Sequence, residues 1–217
     1  MNPAPKQIFV VDDHPLVRKG LCDAIRTQPD LAVCGEAIGW RDALDAIPAL
    51  HPDALVLDLN LKDGNGWTLV EHLQTANHLP PTLVLSVCDE DLYAIRLLQA
   101  GARGYLMKDS PIADVLTALR KILAGHVAVS DAIASRLLQP GNTPAAEARS
   151  WKILSDRELQ VCEMLSQGHG NKEIAARLGI SPKTIGTYKA RLMEKLGVRT
   201  TPELVAATRA TAPKAAP

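Results

Sequence analysis

Asp12 and Asp13 follow the apolar run Gln7-Ile8-Phe9-Val10-Val11, and Asp58 follows Ala54-Leu55-Val56-Leu57. Each run reads as a buried strand that ends abruptly in carboxylate. Two further runs end in other chemistry: Thr82-Leu83-Val84-Leu85 in the hydroxyl of Ser86, and Tyr105-Leu106-Met107 in the amine of Lys108. Carboxylates brought into contact repel, and the usual remedies are protonation of one or binding of a hard cation. Mg²⁺ suits such a place, because it takes oxygen ligands in octahedral geometry and combines few carboxylates with waters and a phosphate oxygen. Carboxylates, hydroxyl, lysine and divalent cation form a complete set for moving a phosphoryl group. The cation and Lys108 neutralise charge on the equatorial oxygens, Ser86 hydrogen-bonds one of them, and an Asp carboxylate accepts the group as an aspartyl phosphate. There is no G-x-x-x-x-G-K run, so nucleotide is not an expected ligand.

These side chains meet only if the elements carrying them converge. Strands of a parallel sheet are covered on both faces, read as unbroken apolar runs, and gather ligands at their carboxyl ends. After the first run, Pro15 opens a helix with Leu16, Val17, Leu21 and Ile25 at helical spacing. Leu31 to Glu36 is a second strand and Trp40 to Leu50 a second helix; Trp67 to Ala76 follows the third strand, and a helix from about Asp89 to Ala100 the fourth. The short fifth strand, Tyr105 to Lys108, leads to a helix capped by Ser110-Pro111 and stopped by Gly125. Five strands alternating with five helices predict an α/β doubly wound five-stranded parallel sheet with right-handed crossovers. All strand carboxyl ends then lie on one rim, with Asp12, Asp13, Asp58, Ser86 and Lys108. Alone, Asp58 before Asn60-Leu61-Lys62-Asp63-Gly64-Asn65-Gly66 reads as a turn cap; the convergence reverses that order. His14, beside the acid pair, reads as a solvated helix-start residue and not a phosphodonor.

The order Asp12-Asp13, Asp58, Ser86, Tyr105 and Lys108 resembles the receiver domain of two-component response regulators, over residues 6 to about 125. The resemblance implies that Asp58 is the phosphoacceptor. It implies that Asp13 binds Mg²⁺, or another divalent cation such as Mn²⁺, directly, Asp12 largely through water, and that the backbone carbonyl of Asn60 completes the protein ligands. It also implies that Ser86 and Tyr105 form a switch pair, the hydroxyl drawn toward the phosphoryl group while the ring turns inward. On its residue type alone, Tyr105 reads equally well as packing with a wet hydroxyl. Two departures concern loop geometry: Asp109 stands where receivers often have proline after the lysine, and Lys62 where proline is frequent after the acceptor.

Beyond Gly125 the segment His126 to Gln139 holds a short amphipathic piece, Asp131 to Leu138. Pro140-Gly141-Asn142-Thr143-Pro144 follows, a composition that marks a mobile connection. Ser155, with Glu158 three residues on, forms a capping box. Asn171 caps a second helix from Lys172 to Leu178, Ser181-Pro182 opens a third through Leu196, and Thr201-Pro202 a fourth to about Thr208. The short helix, the turn Gly179-Ile180-Ser181 and the longer helix make a helix-turn-helix, whose second helix enters the major groove. The pattern Leu154-Ser155-x-Arg157-Glu158, Asn171-Lys172-Glu173-Ile174-Ala175, Ile180-Ser181-x-x-Thr184-Ile185 and Lys195-Leu196-Gly197-Val198 resembles the LuxR-type DNA-binding domain. Joined to a receiver, it is similar to the NarL/FixJ family. The predicted organisation is a receiver over 1–125, a linker over 126–150, a small all-α four-helix domain over 151–210 and a disordered tail over 211–217. On the third helix Ile185, Tyr188, Leu192 and Leu196 make an inward stripe. Lys183, Thr184, Gly186, Thr187, Lys189, Ala190 and Arg191 are the candidate DNA-binding residues, with Asn171 and Lys172 as phosphate contacts. Lys183, Lys189 and Arg191 are expected to anchor the backbone, while Thr187, through its methyl group, and groove shape give part of the specificity. Gly186 and Ala190 depart from the larger side chains common in relatives, and the bland alternative is a solvated helix face.

At 217 residues the chain suits two domains, and 47% hydrophobic with 22% charged residues is ordinary globular composition. No apolar run reaches the roughly 20 residues of a membrane span, and the first residues lack the apolar core of a secretion signal; a cytoplasmic protein with no membrane partner is expected. Cys22, Cys34, Cys88 and Cys162 have no C-x-x-C spacing and read as core residues. The net charge of +0 hides an asymmetry, since residues 1–140 hold 12 Lys/Arg against 17 Asp/Glu and residues 141–217 hold 12 against 7. A cation site in the acidic half and a polyanion partner for the basic half fit that split. The expected function is a DNA-binding transcriptional response regulator, phosphorylated on Asp58 by a partner sensor histidine kinase in a Mg-dependent reaction that controls dimerisation, promoter binding or both. Its expected partners are double-stranded promoter DNA, a second copy of the chain and RNA polymerase. It is not expected to be an enzyme beyond its own self-phosphorylation and autodephosphorylation. The alternatives are a DNA-binding regulator with a phosphorylation-independent receiver, and a Mg-dependent phosphotransfer enzyme.

Overall fold

The structure, a computed structural model, describes residues 4–61, 63–88, 90–138, 154 and 156–211. The chain divides into two compact units, Met1–Leu138 and Gln139–Pro217. The first begins with β1 (Lys6–Val11), α1 (Pro15–Arg26), β2 (Leu31–Ala37), α2 (Trp40–Leu50) and β3 (Ala54–Leu57). A hairpin of two-residue strands, β4 (Asn60–Leu61) and β5 (Gly64–Asn65), leads into α3 (Gly66–Thr75). Then come β6 (Thr82–Ser86), α4 (Glu90–Gln99), β7 (Gly104–Met107), α5 (Ile112–Leu123) and α6 (Asp131–Leu138). The main sheet is parallel throughout, in the order β2-β1-β3-β6-β7. The chain moves outward from β1 to β2 and returns to β3 on the other side of β1. Strand order therefore reverses between β1 and β3, the switch point at which open α/β sheets hold ligands.

Alternation along the strands builds two cores. Ile8, Val10, Ala54, Val56, Leu83 and Leu85 share one with Leu21, Cys22 and Ile25 of α1 and Val115, Leu119 and Ile122 of α5. The alternate residues Phe9, Val11, Leu55, Leu57 and Val84 belong to the opposite face, which the buried residues of α2, α3 and α4 cover, among them Ile47, Leu73 and Leu97. Each fully buried Leu, Ile or Val contributes about 1.5–3 kcal/mol, so the register that aims the strand ends is strongly fixed. The four cysteines are free; Cys22, Cys88 and Cys162 are buried and Cys34 is half-buried. Burial, with Glu36 adding to it, pushes the Cys22 thiol up to about 11.

Two expectations for this unit need correction. The cap of α5 is Pro111, with no side-chain cap bond, while the N–H of Ser110 closes a turn onto the Met107 carbonyl at 3.0 Å. Residues 126–138, expected in the linker, belong to the first unit. The Tyr105 N–H donates to the Ala128 carbonyl at 2.8 Å, and the Ala128 N–H to the Arg103 carbonyl at 2.9 Å, which adds residue 128 to the edge at β7. Only glycine fits at 104, because a Cβ there would stand 2.9 Å from the Ala128 carbonyl oxygen. Ile133 of α6 is fully buried, and the Ser130 hydroxyl donates to Glu90 Oε1 of α4 at 2.9 Å. The rest of the expected linker, 139–150, lies outside the described residues, as do Lys62, Asp89, Ser155 and 212–217.

The second unit holds α7 (Asp156–Ser166), α8 (Asn171–Leu178), α9 (Pro182–Leu196) and α10 (Thr201–Thr211). Its buried apolar residues include Leu154, Leu159, Val161, Cys162, Leu165, Ile174, Ala175, Ile185, Leu192 and Leu204. Asn171 is the first residue of its helix and not its cap; Gly170 takes the cap position, without a side-chain bond. Thr211, expected in the tail, closes α10. Among the described residues no helix is long and apolar enough to cross a membrane.

Candidate functional site

The strand ladder continues just past each strand end and fixes the rim. The Asp12 N–H donates to the Ala37 carbonyl at 3.2 Å, the Asp58 N–H to the Val11 carbonyl at 2.9 Å, and the Lys108 N–H to the Ser86 carbonyl at 2.8 Å. Asp12, Asp13, Asp58 and Ser86 are all buried there. Lys108 Nζ lies 2.6 Å from Asp58 Oδ2 and 2.9 Å from Asp12 Oδ2. Asp58 Oδ1 accepts the Asn60 N–H at 3.2 Å. The five residues expected to converge are thus brought to one rim at the switch point.

Desolvation by burial pushes the Asp58 carboxyl up to about 6; Lys108 pulls it down, Asp12 adds to the rise, and the Asn60 N–H pulls down again. For Lys108 burial works to lower the pKa, yet the adjacent carboxylates of Asp58 and Asp12 outweigh it and raise the pKa above its usual value. The donor set fits a divalent cation. Asp13 Oδ1 is buried and accepts no hydrogen bond, an arrangement that is costly without a compensating charge. Asp12, Asp13, His14 and Asp58 each offer a ligand atom within 4.8 Å of the others.

His14 is an exposed helix-start residue, as expected, and it also reaches the acids. Its side chain is 60% exposed and it holds the cap position of α1, yet Nδ1 lies 2.6 Å from Asp13 Oδ1 and 3.3 Å from Asp12 Oδ1. Nδ1 faces the acids while most of the ring stays in solvent. Adjacency in Asp12-Asp13-His14-Pro15 was the available signal, but side-chain direction at a helix start is not periodic information.

On the other side of Asp58 the contacts converge on Cys88. The Ser86 hydroxyl accepts the Cys88 N–H at 3.2 Å, the Tyr105 hydroxyl donates to the Cys88 carbonyl at 2.7 Å, and Asn60 Nδ2 lies 3.3 Å from Cys88 Sγ. The Tyr105 ring is 1% exposed, so here it points inward and its hydroxyl is not wet. Asn60 sits in the β4–β5 hairpin, which turns the chain back below the acceptor. At Gly66 a Cβ would collide with the Asp58 carbonyl oxygen, which explains glycine there.

In the second unit Gly179, at φ 65°, ends α8, and the Ser181 hydroxyl accepts the Thr184 N–H at 3.1 Å to cap α9. Ile185 and Leu192 are buried and Tyr188 and Leu196 half-buried, which gives the inward stripe. Lys183, Gly186, Thr187, Ala190 and Arg191 are exposed, Thr184 and Lys189 half-buried. Ser181, Lys183, Thr184, Thr187, Tyr188 and Arg191 line one shallow concavity. The Thr187 hydroxyl donates to the Lys183 carbonyl at 3.3 Å. Lys172 is exposed and Asn171 half-buried at the start of α8. Glu158, expected in a capping box, forms an ion pair with Lys195 of α9 at 2.7 Å; its expected partner Ser155 lies outside the described residues.

The model for the response regulator receiver domain matches residues 8–120, and that for bacterial regulatory proteins of the luxR family matches residues 152–208. Oxygen regulatory protein NreC of Staphylococcus aureus (strain JH9) is 32% identical over 206 residues, which cover 92% of this chain and 94% of that protein. The crystal structure of response regulator ChrA of a heme-sensing two-component system is 30% identical, with TM-score 0.52 over 96% of this chain and 98% of its own. RcsB from Salmonella enterica serovar Typhimurium, bound to promoter P1flhDC in the presence of the phosphomimetic BeF3-, is 25% identical, with TM-score 0.62 over 94% of this chain and 98% of its own. The chain belongs to the response regulators that join a receiver to a LuxR-type DNA-binding domain, and it is a DNA-binding transcription regulator of that class.

Proposed function

We propose that Asp58 is the phosphoacceptor through which a sensor histidine kinase controls DNA binding by the second unit. The observation that carries this reading is the ion pair of Lys108 with Asp58 at 2.6 Å inside a buried cluster of three carboxylates. A carboxylate oxygen of Asp58 attacks the phosphorus of a phosphohistidine, the P–N bond breaks, and the imidazole leaves with its electron pair. Burial raises the Asp58 carboxyl, while the Lys108 ammonium at 2.6 Å favours its ionised, nucleophilic form for this step. Bound Mg²⁺, or Mn²⁺, supplies the positive charge that offsets the equatorial oxygens; Asp13 would hold it directly, Asp12 largely through water, with Asp58 and the Asn60 carbonyl. Lys108 neutralises a further oxygen, and the Ser86 hydroxyl turns from the Cys88 N–H to donate to the phosphoryl group. Tyr105, already inward on the Cys88 carbonyl, is the residue that registers this change. Water attack on the acyl phosphate returns the carboxylate.

The output lies on α9. Lys183, Lys189 and Arg191 pair with phosphates of promoter DNA, assisted by Asn171 and Lys172 at the start of α8. With its hydroxyl on its own helix, Thr187 offers its methyl to a base edge, and Thr184, Gly186 and Ala190 complete the surface that enters the groove. RcsB bound to promoter DNA in the presence of a phosphomimetic supports this coupling. The phosphorylated chain acts as a homodimer in the cytoplasm, with RNA polymerase as a downstream partner. Incubation with Mg²⁺ and acetyl phosphate tests the reading. A hydroxylamine-labile gain of one phosphoryl group, absent in Asp58→Asn, is the expected result; unmodified Asp58 with normal promoter binding would overturn it.

A further inference from the structure

We infer that His14 is a ligand of the cation at the acid cluster, through Nδ1, so that the site favours transition dications over Mg²⁺. This rests on the reading that the cluster holds a dication at all. Four observations support it. First, His14 takes the cap position of α1 with no side-chain cap bond. Second, its backbone is pinned: its N–H donates to Asp12 Oδ1 at 2.7 Å, and its carbonyl accepts the Arg18 N–H at 3.0 Å. With Pro15 next in the chain, the ring is held over the rim.

Third, Lys108 Nζ lies 3.3 Å from His14 Nδ1. Nδ1 thus stands among the same groups as the carboxylates, and without a proton it can ligate a cation. Fourth, the same Nδ1 lies 2.6 Å from Asp13 Oδ1, which is buried and accepts no hydrogen bond. With Nδ1 unprotonated, a cation beside the two atoms satisfies both, and all four ligand atoms lie within 4.8 Å of one another. Nδ1 is also 3.8 Å from Asp58 Oδ2, so nitrogen and carboxylates surround one volume.

The ligand set decides the metal. Three carboxylates alone suit Mg²⁺, which takes oxygen; an imidazole suits Fe²⁺, Ni²⁺ or Zn²⁺, and Mn²⁺, the oxygen-preferring end of that series, accepts a nitrogen ligand more readily than Mg²⁺ does. A site of both kinds therefore discriminates, and the nature of the cation is a property of this chain through His14.

The full-length protein is titrated with Mn²⁺ by electron paramagnetic resonance, and Mg²⁺ is then added as competitor. Spin-echo modulation from a directly bound nitrogen is expected in the wild type and not in His14→Ala or His14→Gln. Loss of the ligand is expected to lower the preference for Mn²⁺ over Mg²⁺ about tenfold or more. Mn²⁺ that Mg²⁺ displaces but that shows no nitrogen coupling, or the same coupling in both variants, overturns the inference and leaves the cation reading standing. Mn²⁺ binding that Mg²⁺ does not compete for and that survives Asp13→Asn overturns both.

Discussion

Asp58→Asn removes a charge that the fold holds at a cost. Desolvation moves the Asp58 carboxyl from 3.8 to about 6 in spite of Lys108. At about 1.4 kcal/mol per pH unit, keeping it ionised at neutral pH costs roughly 3 kcal/mol of stability in the metal-free protein. The sign follows from the direction of the shift. A group whose pKa is raised on folding contributes its full stability below the unfolded value of 3.8, and that contribution is lost as pH rises through about 6. Asparagine resembles the protonated carboxyl and still offers an acceptor to Lys108 or to the Asn60 N–H, so the substitution stabilises at neutral pH and is nearly silent in acid.

Thermal unfolding in the presence of EDTA measures this. At about pH 7.5 the variant is expected to be roughly 2–3 kcal/mol more stable, a rise in Tm of about 5–10 °C for a unit of this size; the gap should fall to about 1 kcal/mol by about pH 4.5 and close below the unfolded value of 3.8. Mg²⁺ at about a hundred times its Kd adds about 2.7 kcal/mol to the wild type; the variant, lacking one carboxylate, gains less, so the gap narrows. A variant less stable than wild type in EDTA at neutral pH, or a gap that does not change with pH, would refute the reasoning.

The remaining predictions concern other parts of the molecule. Lys189→Ala and Arg191→Ala should each weaken promoter binding and reduce the slope of log affinity against log salt by about 1, measured by fluorescence anisotropy; unchanged slopes would remove these residues from the phosphate contacts. Ile133→Ala should destabilise the first unit by about 2–4 kcal/mol, because it empties a fully buried site in α6; urea unfolding that shows no loss would mean that α6 contributes nothing to that unit. Tyr105→Phe deletes the 2.7 Å bond to the Cys88 carbonyl and should cost about 1 kcal/mol, read from the same unfolding curves.

What the sequence disclosed followed from period and position. An apolar run ended by Asp12 or Asp58 is a statement about both strand and rim, because parallel strands must end together. Gly179, Ser181 and Pro182 are local signals for the end of one helix and the start of the next, and both appear where expected. What stayed hidden depends on partners far away in the chain. Nothing local in Asp131–Leu138 separates a tethered helix from a docked one; burial of Ile133 against α4 decides that. Glu158 satisfies a capping pattern read at three residues' distance, while its ion pair is with Lys195, 37 residues on. The β4–β5 hairpin escaped because two-residue strands have no period, and Asn60 to Gly66 carries the residues of a turn.

Tyr105 shows why the hidden part matters. Its hydroxyl is bonded to the Cys88 carbonyl, beside the Ser86 hydroxyl, and its backbone N–H to Ala128, two residues before the Ser130 that pairs with Glu90. Residue type alone supports a packing role or a switch role with equal force. Placed between the segment that follows β6 and the segment that leads into α6, one ring joins the chemistry at Asp58 to the last helix before residue 139. An input at the rim can bias that helix only if the two arrangements differ in their contacts at Cys88. Those contacts belong to a backbone N–H, a carbonyl and a thiol of one residue, none of which is visible in a strand pattern.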